Sequence, residues 1–560
     1  MEFRNVLMAI VLSTLVLVLW YTFFETPPVE RQLVENQKIE KEESSSPSIE
    51  KVEVPKKVER DDVIDTVARV KIENNNIKGS ISLQGAIIDD ILFKNYKVSL
   101  ESDDRVVFLN PKNSTEGYYI ETGWASNSSE KIKLPLDNTV WKVKGNNFLR
   151  PNNPILLEWD NNEGLIFTKK IELDDKFLFK ITQNVKNISN KSYELFPYAQ
   201  ITRNYKPDVI PIYILHEGFI GMFDDQLEEV DYKDIEDEKF TANSSKGWLG
   251  ITDKYWLSVI VPEKGEKFKS EFLTSDKKYR ANFIIKEPKV LGSNKSVKNT
   301  INAFVAAKEV AIIDGYAESM NIEKFDLVID WGWFYFITKP LFFVIEYFFK
   351  LTGNFGIAII ILTALVRIVF FPLANYSFRS MAKMKILQPE MVRLKELHKD
   401  DKTKLQQEMM ALYKREKVNP ISGCLPVLIQ IPFFFAVYKM LFVTIEMRQQ
   451  PFFGWIQDLS ARDPTSIFNL FGLIPWDPPT FLMIGVWPIL MGLTMFLQQK
   501  LNPTPPDPIQ AKIFMFLPIF LTIILAPFPS GLVVYWTISN VLTIAQQWVI
   551  MRGTKVKTVR

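Results

Sequence analysis

The chain has 560 residues, 24% charged and 13% aromatic, and its 67 basic and 65 acidic side chains leave a net charge of only +2. The charges are segregated: residues 26–330 carry a net −8, whereas residues 331–560, interrupted by long apolar runs, carry a net +11. The apolar runs exclude a wholly cytosolic protein, the single Cys424 excludes an internal disulfide scaffold, and having only His216 and His398 argues against a His-based metal cluster.

The first apolar run, 5–24, has no charge between Arg4 and Glu25 and ends in Trp20, Tyr21, Phe23 and Phe24. Aromatics at that end suit a membrane interface better than a signal-peptide cleavage site, so 1–25 reads as an uncleaved transmembrane anchor. Residues 26–62, rich in Glu, Lys, Ser and Pro, read as a disordered tether. Short β-type segments broken by Asn, Asp and Gly follow, at 69–72, 79–83, 106–109, 155–159, 165–173, 177–185, 256–261 and 281–285. Alternation places Phe177, Phe179, Ile181, Gln183 and Val185 on one face. Many short strands over 63–325 predict a large β-sandwich. Its lone histidine, His216 beside Glu217, is too little for acid–base catalysis, so no enzyme activity is expected there.

Residues 326–353 read as an amphipathic helix lying in the interface. Lys339, Glu346 and Lys350 share one face, opposite Trp333, Phe334, Ile337, Leu341, Val344, Ile345 and Phe348. Five further apolar runs, at 355–376, 421–443, 481–498, 513–528 and 531–550, complete six expected transmembrane helices. Pro527 and Pro529 split the last two into a hairpin. Loop 377–420 holds eleven basic residues against six acidic ones, the tail 551–560 is purely basic, and loop 444–480 is acidic. The positive-inside rule then puts both termini and loop 377–420 in the cytoplasm, with 26–330 outside. Within 377–420, Met384, Leu387, Met391 and Leu394 face Leu405, Met409 and Leu412 as the seam of an antiparallel helical hairpin turning at 399–402.

Arg367 lies near the middle of the second run, and no Asp or Glu occurs in any run to neutralise it. A central arginine costs roughly 2.5–3.5 kcal/mol on insertion. Its solvation is open between lipid phosphates or backbone carbonyls on one side and, as the favoured reading, a hydrated cavity lined by Thr363, Gln430, Thr537, Ser539, Asn540 and Gln546. No G-x-x-x-x-G-K-[ST] loop is present, so no nucleotide chemistry and no cofactor or metal is expected.

The strings ALVRIVFFPL, SMAKMKILQPEM, QQEMMALYKREKVNPISGCLPVLIQIPFFFAVY, PILMGLTMFLQQK and FPSGLVVYWTISNVLTIAQQW closely resemble the YidC insertases of Gram-negative inner membranes, relatives of the mitochondrial Oxa and chloroplast Alb proteins. SSKGWLGITDKYW carries a weaker likeness into the outer domain. The resemblance implies an α-helical polytopic membrane protein with a conserved five-helix insertase core over 354–550 and a large periplasmic all-β supersandwich, similar to sugar mutarotases but not catalytic. It further implies a positively charged groove around Arg367, with Thr363, Phe434, Tyr535 and Trp536 at client-contact positions. Nascent membrane proteins, the Sec translocon, the ribosome, signal recognition components and lipids are the implied partners. Segment 468–480 departs from the simplest family pattern as a longer, interfacial stretch, leaving the start of the fourth span open. A secondary transporter or channel is the alternative, opposed by the missing intramembrane carboxylates. The topology is testable by labelling single cysteines on intact cells. An outside reagent should reach a site near Glu228 and spare residues 399–402; labelling of the loop would refute the orientation.

Overall fold

The computed structural model describes residues 58–127, 132–208, 215–399, 401–416, 418, 425–474, 476, 478–479, 483–502 and 508–553. The anchor expected over 1–25, most of the tether and most of the basic tail lie outside the described residues. Order begins earlier than the expected end of the tether at residue 62. Arg60–Ile64 is helical, and Arg60 donates to the buried carboxylate of Asp90 at 2.7 Å.

Two sheets form the outer domain. Among the described residues the larger has eleven strands, ordered Phe240–Ser244, Phe268–Ser275, Lys278–Ile285, Tyr193–Arg203, Tyr118–Ser126, Ile87–Lys97, Ile77–Ser82, Arg69–Glu73 and Phe148–Leu149, with Lys289–Leu291 and Arg105–Leu109 pairing off this path. The nine-stranded sheet runs Gln226–Asp231, Gly218–Phe223, Gly247–Thr252, Trp256–Val261, Ser296–Ala307, Leu178–Asn187, Leu165–Leu173, Ile155–Asp160 and Lys142–Lys144. The alternation read at 177–185 is the pleat: Phe177, Phe179, Ile181, Gln183 and Val185 are all buried between the sheets. Lys169 crosses the gap, its ammonium donating to the Thr122 carbonyl of the other sheet at 2.6 Å. Gly250 is required by close approach, since a Cβ there would stand 2.0 Å from the Ser258 carbonyl oxygen.

Eight helices follow among the described residues: α1 (Tyr335–Thr352), α2 (Phe355–Val369), α3 (Phe371–Leu397), α4 (Lys402–Arg415), α5 (Leu425–Val443), α6 (Val486–Leu501), α7 (Pro508–Leu525) and α8 (Ser530–Gly553). The continuous span expected over 355–376 is broken. α2 and α3 meet at Phe370 with a 67° bend. Pro372 fits the break, because proline has no N–H to offer the Ile368 carbonyl and it stands in the first turn of α3, where that loss costs least. No single described helix is both long and apolar enough to cross a bilayer, although α2 and α3 together are. α8 has the length but carries Thr537, Ser539, Asn540, Thr543 and Gln547, all buried against its neighbours α2, α3, α5 and α6. The fourth run begins later than 481: α6 starts at Val486, with Asp463 accepting from the Trp487 amide. α3 and α4 form the expected hairpin, with Met391 and Leu412 buried at its seam and the outer faces exposed.

The helix before the core forms the expected Glu346–Lys350 pair, at 2.7 Å, but Lys339 leaves that polar face. Lys339 does not face water with Lys350; it pairs with Asp314 at 2.9 Å and Asp326 at 2.8 Å, at the foot of the outer domain. The packed face of α1 is Thr338, Phe342 and Ile345, while Trp333, Phe336, Phe343 and Tyr347 are exposed. The helix is aromatic nearly all round, so periodicity could not select the buried stripe.

Further polar contacts join sandwich to helices. Lys439 of α5, 8% exposed, donates to Asp330 at 2.6 Å. Arg448 donates to the carbonyls of Lys97 and Val98 and lies over the Trp256 ring. Glu446 accepts from the Val310 amide at 2.8 Å, at the start of helix Val310–Ser319. Removing one partner of the Lys439–Asp330 pair strands the other charge, so Lys439→Met should cost about 3–5 kcal/mol in detergent unfolding, with Lys439→Met/Asp330→Leu recovering part of it. Glu446 adds a pH term. Burial pushes its carboxyl up to about 7, against the Val310 hydrogen bond. The folded state therefore keeps a proton that the unfolded chain releases near pH 4.5, and stability falls as pH rises from there to about 7, by about 3 kcal/mol. Glu446→Gln should flatten this profile and unfold at a higher temperature than the native chain at pH 8.

Candidate functional site

Asn354 opens α2 by accepting the Ile357 amide at 3.1 Å, and eleven of the next twelve residues carry no polar side chain, Thr363 being the exception. The lone charge, Arg367, sits in the last turn, where the negative end of the helix dipole favours a cation. Its Nη2 donates to three acceptors: Ser539 Oγ at 2.5 Å, the Ser539 carbonyl at 3.3 Å and Gln430 Oε1 at 3.2 Å. Gln430 Nε2 also donates to Ser539 Oγ, so α2, α5 and α8 converge on this group. From α8, Gln546 donates to the carbonyl of Arg367 at 3.2 Å. That carbonyl is among those the end of a helix leaves unbonded, and here the helix ends shortly before Pro372.

Of the solvents weighed for the arginine, a backbone carbonyl is engaged, and a cavity lies beside it. One carbonyl and two side chains take Nη2, and Arg367 also lines a cavity together with Thr363, Val366, Phe370, Leu373, Ala374, Gln430, Phe433, Tyr535, Ser539 and Gln546. The cavity holds about 30 Å³, enough for a water or two. Among the described residues Arg367 makes no ion pair.

Six of the expected site residues thus meet: Thr363, Arg367, Gln430, Tyr535, Ser539 and Gln546. Phe434 and Trp536 are not in this lining; they pack edge to face on each other, ring centres 4.6 Å apart. Asn540 also lies elsewhere, donating to Thr494 of α6 at 3.2 Å, and Thr537 bonds back to its own helix at Val533. Phe370 and Phe433, in edge contact at 5.0 Å, were not anticipated. Each lies three residues after an anticipated polar group, Arg367 and Gln430, and so on the same helical face; that spacing was the available signal. In the sandwich, the ring nitrogens of His216 are occupied by Asp231 at 3.2 Å and the Phe219 carbonyl at 2.8 Å, while Glu217 accepts the Lys254 amide. His216 and Glu217 do not form a dyad.

Comparison with known proteins adds the family. Residues 347–558 match the family model described as 60Kd inner membrane protein, and residues 69–344 match the YidC periplasmic domain. A protein of Pelagibacter ubique named membrane protein insertase YidC is 56% identical over the whole of both chains. One of the same name from Bradyrhizobium diazoefficiens is 43% identical over 99% of this chain and 97% of its own. A crystal structure of an active YidC insertase with its first transmembrane domain resolved covers 90% of this chain and 95% of its own, at 15% identity and a TM-score of 0.35. On the two family models and the full-length identities, the chain belongs to the YidC family of membrane protein insertases.

Proposed function

We propose that this chain inserts newly made membrane proteins into the bacterial inner membrane by way of the cavity around Arg367. The observation that carries the reading is a guanidinium within an apolar helix, held by Gln430 and Ser539, bordering a cavity and lacking a carboxylate partner among the described residues. A client must move its polar flank past hydrocarbon while its apolar segment settles in lipid. An unneutralised cation beside water offers acidic flank residues a temporary partner and shortens the dry path. The apolar segment can then leave sideways, driven by burial of CH₂ groups at about 0.8 kcal/mol each. This needs no nucleotide.

The topology completes the proposal. Six spans, with α2–α3 as a bent one, place the sandwich in the periplasm and the α3–α4 hairpin with its basic surface in the cytoplasm, around a five-helix core over 354–550. The hairpin and the basic tail are suited to meeting the ribosome, signal recognition components or the Sec translocon. Phe434 and Trp536, beside the cavity in the chain but outside its lining, are proposed to contact the client's apolar segment, and Asn540 to hold α8 against α6.

All three acceptors converge on one nitrogen of Arg367, so a lysine ammonium can serve them. Arg367→Lys should keep most insertion activity. Arg367→Ala should weaken insertion of a client with an acidic outer flank by about ten- to a hundredfold, the loss of a charge-assisted contact of roughly 1.5–3 kcal/mol. A client differing only in an uncharged flank should suffer less. Because Gln430 and Ser539 still bond each other, membrane abundance of the variant should hold. Equal loss for both clients at reduced abundance would show the arginine to be structural only.

A further inference from the structure

The segment between α5 and α6 has a fixed base and an apolar tip. The base is tied to three helix ends. The Leu459 and Ala461 carbonyls accept the amides of Gly531 and Ser530 at the start of α8, at 2.9 and 2.7 Å. Asp463 and Thr465 accept the Trp487 and Val486 amides at the start of α6, and Asn354, which caps α2, donates to the Phe452 carbonyl. The tip follows directly. Residues 464–476 contain no charged side chain, and Phe468, Leu470, Phe471, Leu473, Ile474 and Trp476 are exposed, Leu473 by 83%. Leu470 and Phe471 stand at φ 50° and 60°, a left-handed conformation that costs energy for bulky residues and is normally left to glycine.

Monomeric soluble surfaces rarely gather so many adjacent apolar side chains, and such patches mark a partner. The partner can be named from position. Since the base caps α2, α6 and α8 at one end, the tip is held at the level where these helices leave the membrane. Below it, α6 continues the apolar surface with exposed Leu490, Leu493 and Leu497. Trp476 has the amphipathic ring favoured at that depth. We infer that 467–474 together with Trp476 is a lipid-dipping tip, seated in the outer leaflet of the bilayer beside α6 and fixing the height of the core's periplasmic end. The inference rests on the membrane orientation proposed above.

The test uses the full chain with Cys424→Ser, reconstituted in phosphatidylethanolamine/phosphatidylglycerol vesicles and carrying an environment-sensitive dye at one new cysteine. Leu473→Cys probes the tip, Leu493→Cys the lipid face of α6, and Gln457→Cys the base. Acyl chains spin-labelled near their headgroup end should quench the dye at 473, as expected for burial of about 5–10 Å. Deeper spin labels should quench 493, and neither should affect 457. Quenching at 493 with none at 473 would overturn the tip and leave the spans standing; quenching at neither would overturn both. A dye at 473 that ignores lipid but responds to a ribosome-bound nascent membrane protein would identify a client-contact surface and overturn the lipid assignment.

Discussion

A guanidinium inside an apolar helix must be solvated by something, and the helical half of this molecule is organised around that requirement. The nearest means are hydrogen-bond acceptors on other helices, and Gln430 and Ser539 supply them from α5 and α8. The same site receives the end of α2, where Pro372 breaks the ladder and Gln546 takes the carbonyl left over. Solvating the arginine and terminating the helix are thus met by one polar stripe on α8. Beside that stripe, Asn540 bonds α6 and Gln547 the segment after it. Its cost is that α8 is too polar to read as a plain membrane helix; its consequence is a centre to which the surrounding helices are bonded.

The sandwich is held to this bundle by charge as well as by apolar area. Lys339, Lys439, Glu446 and Arg448 each meet a partner on the sandwich or on the segment that leads out of it. Such contacts are directional, so they set the orientation of the two layers, whereas the shared apolar cluster of Trp248, Phe325, Trp331 and Phe355 excludes water without fixing direction. Glu446 is the member most sensitive to pH, because burial moves its carboxyl up to about 7.

Strands were the most legible part of the sequence. The expected segment 165–173 coincides with Leu165–Leu173, because a half-buried strand writes its burial into every second residue, and 256–261 coincides with Trp256–Val261, a short apolar run buried along nearly its whole length. Of the site, Arg367, Gln430 and Ser539 could be singled out as polar groups in apolar runs, which nothing but a shared environment explains. Phe434, Trp536 and Asn540 could not be sorted from them, since polarity and family likeness do not say which side of a helix faces which neighbour. α1 shows the same limit in reverse: with aromatics nearly all round, its sequence offers several stripes, and only the ion pairs of Lys339 with Asp314 and Asp326 select one.

By itself, the sequence determined the segregation of charge, the two-layer β pattern, the apolar runs with their one unneutralised arginine, and the family. These are properties of composition and local period, which survive without knowledge of neighbours. Only the tertiary structure decided that α2 and α3 part at 67°, that one nitrogen of Arg367 is shared between α5 and α8, and that Lys439 meets Asp330, 109 residues away. Each of these joins residues distant in the chain, and such a distance is closed only by the packing of whole elements.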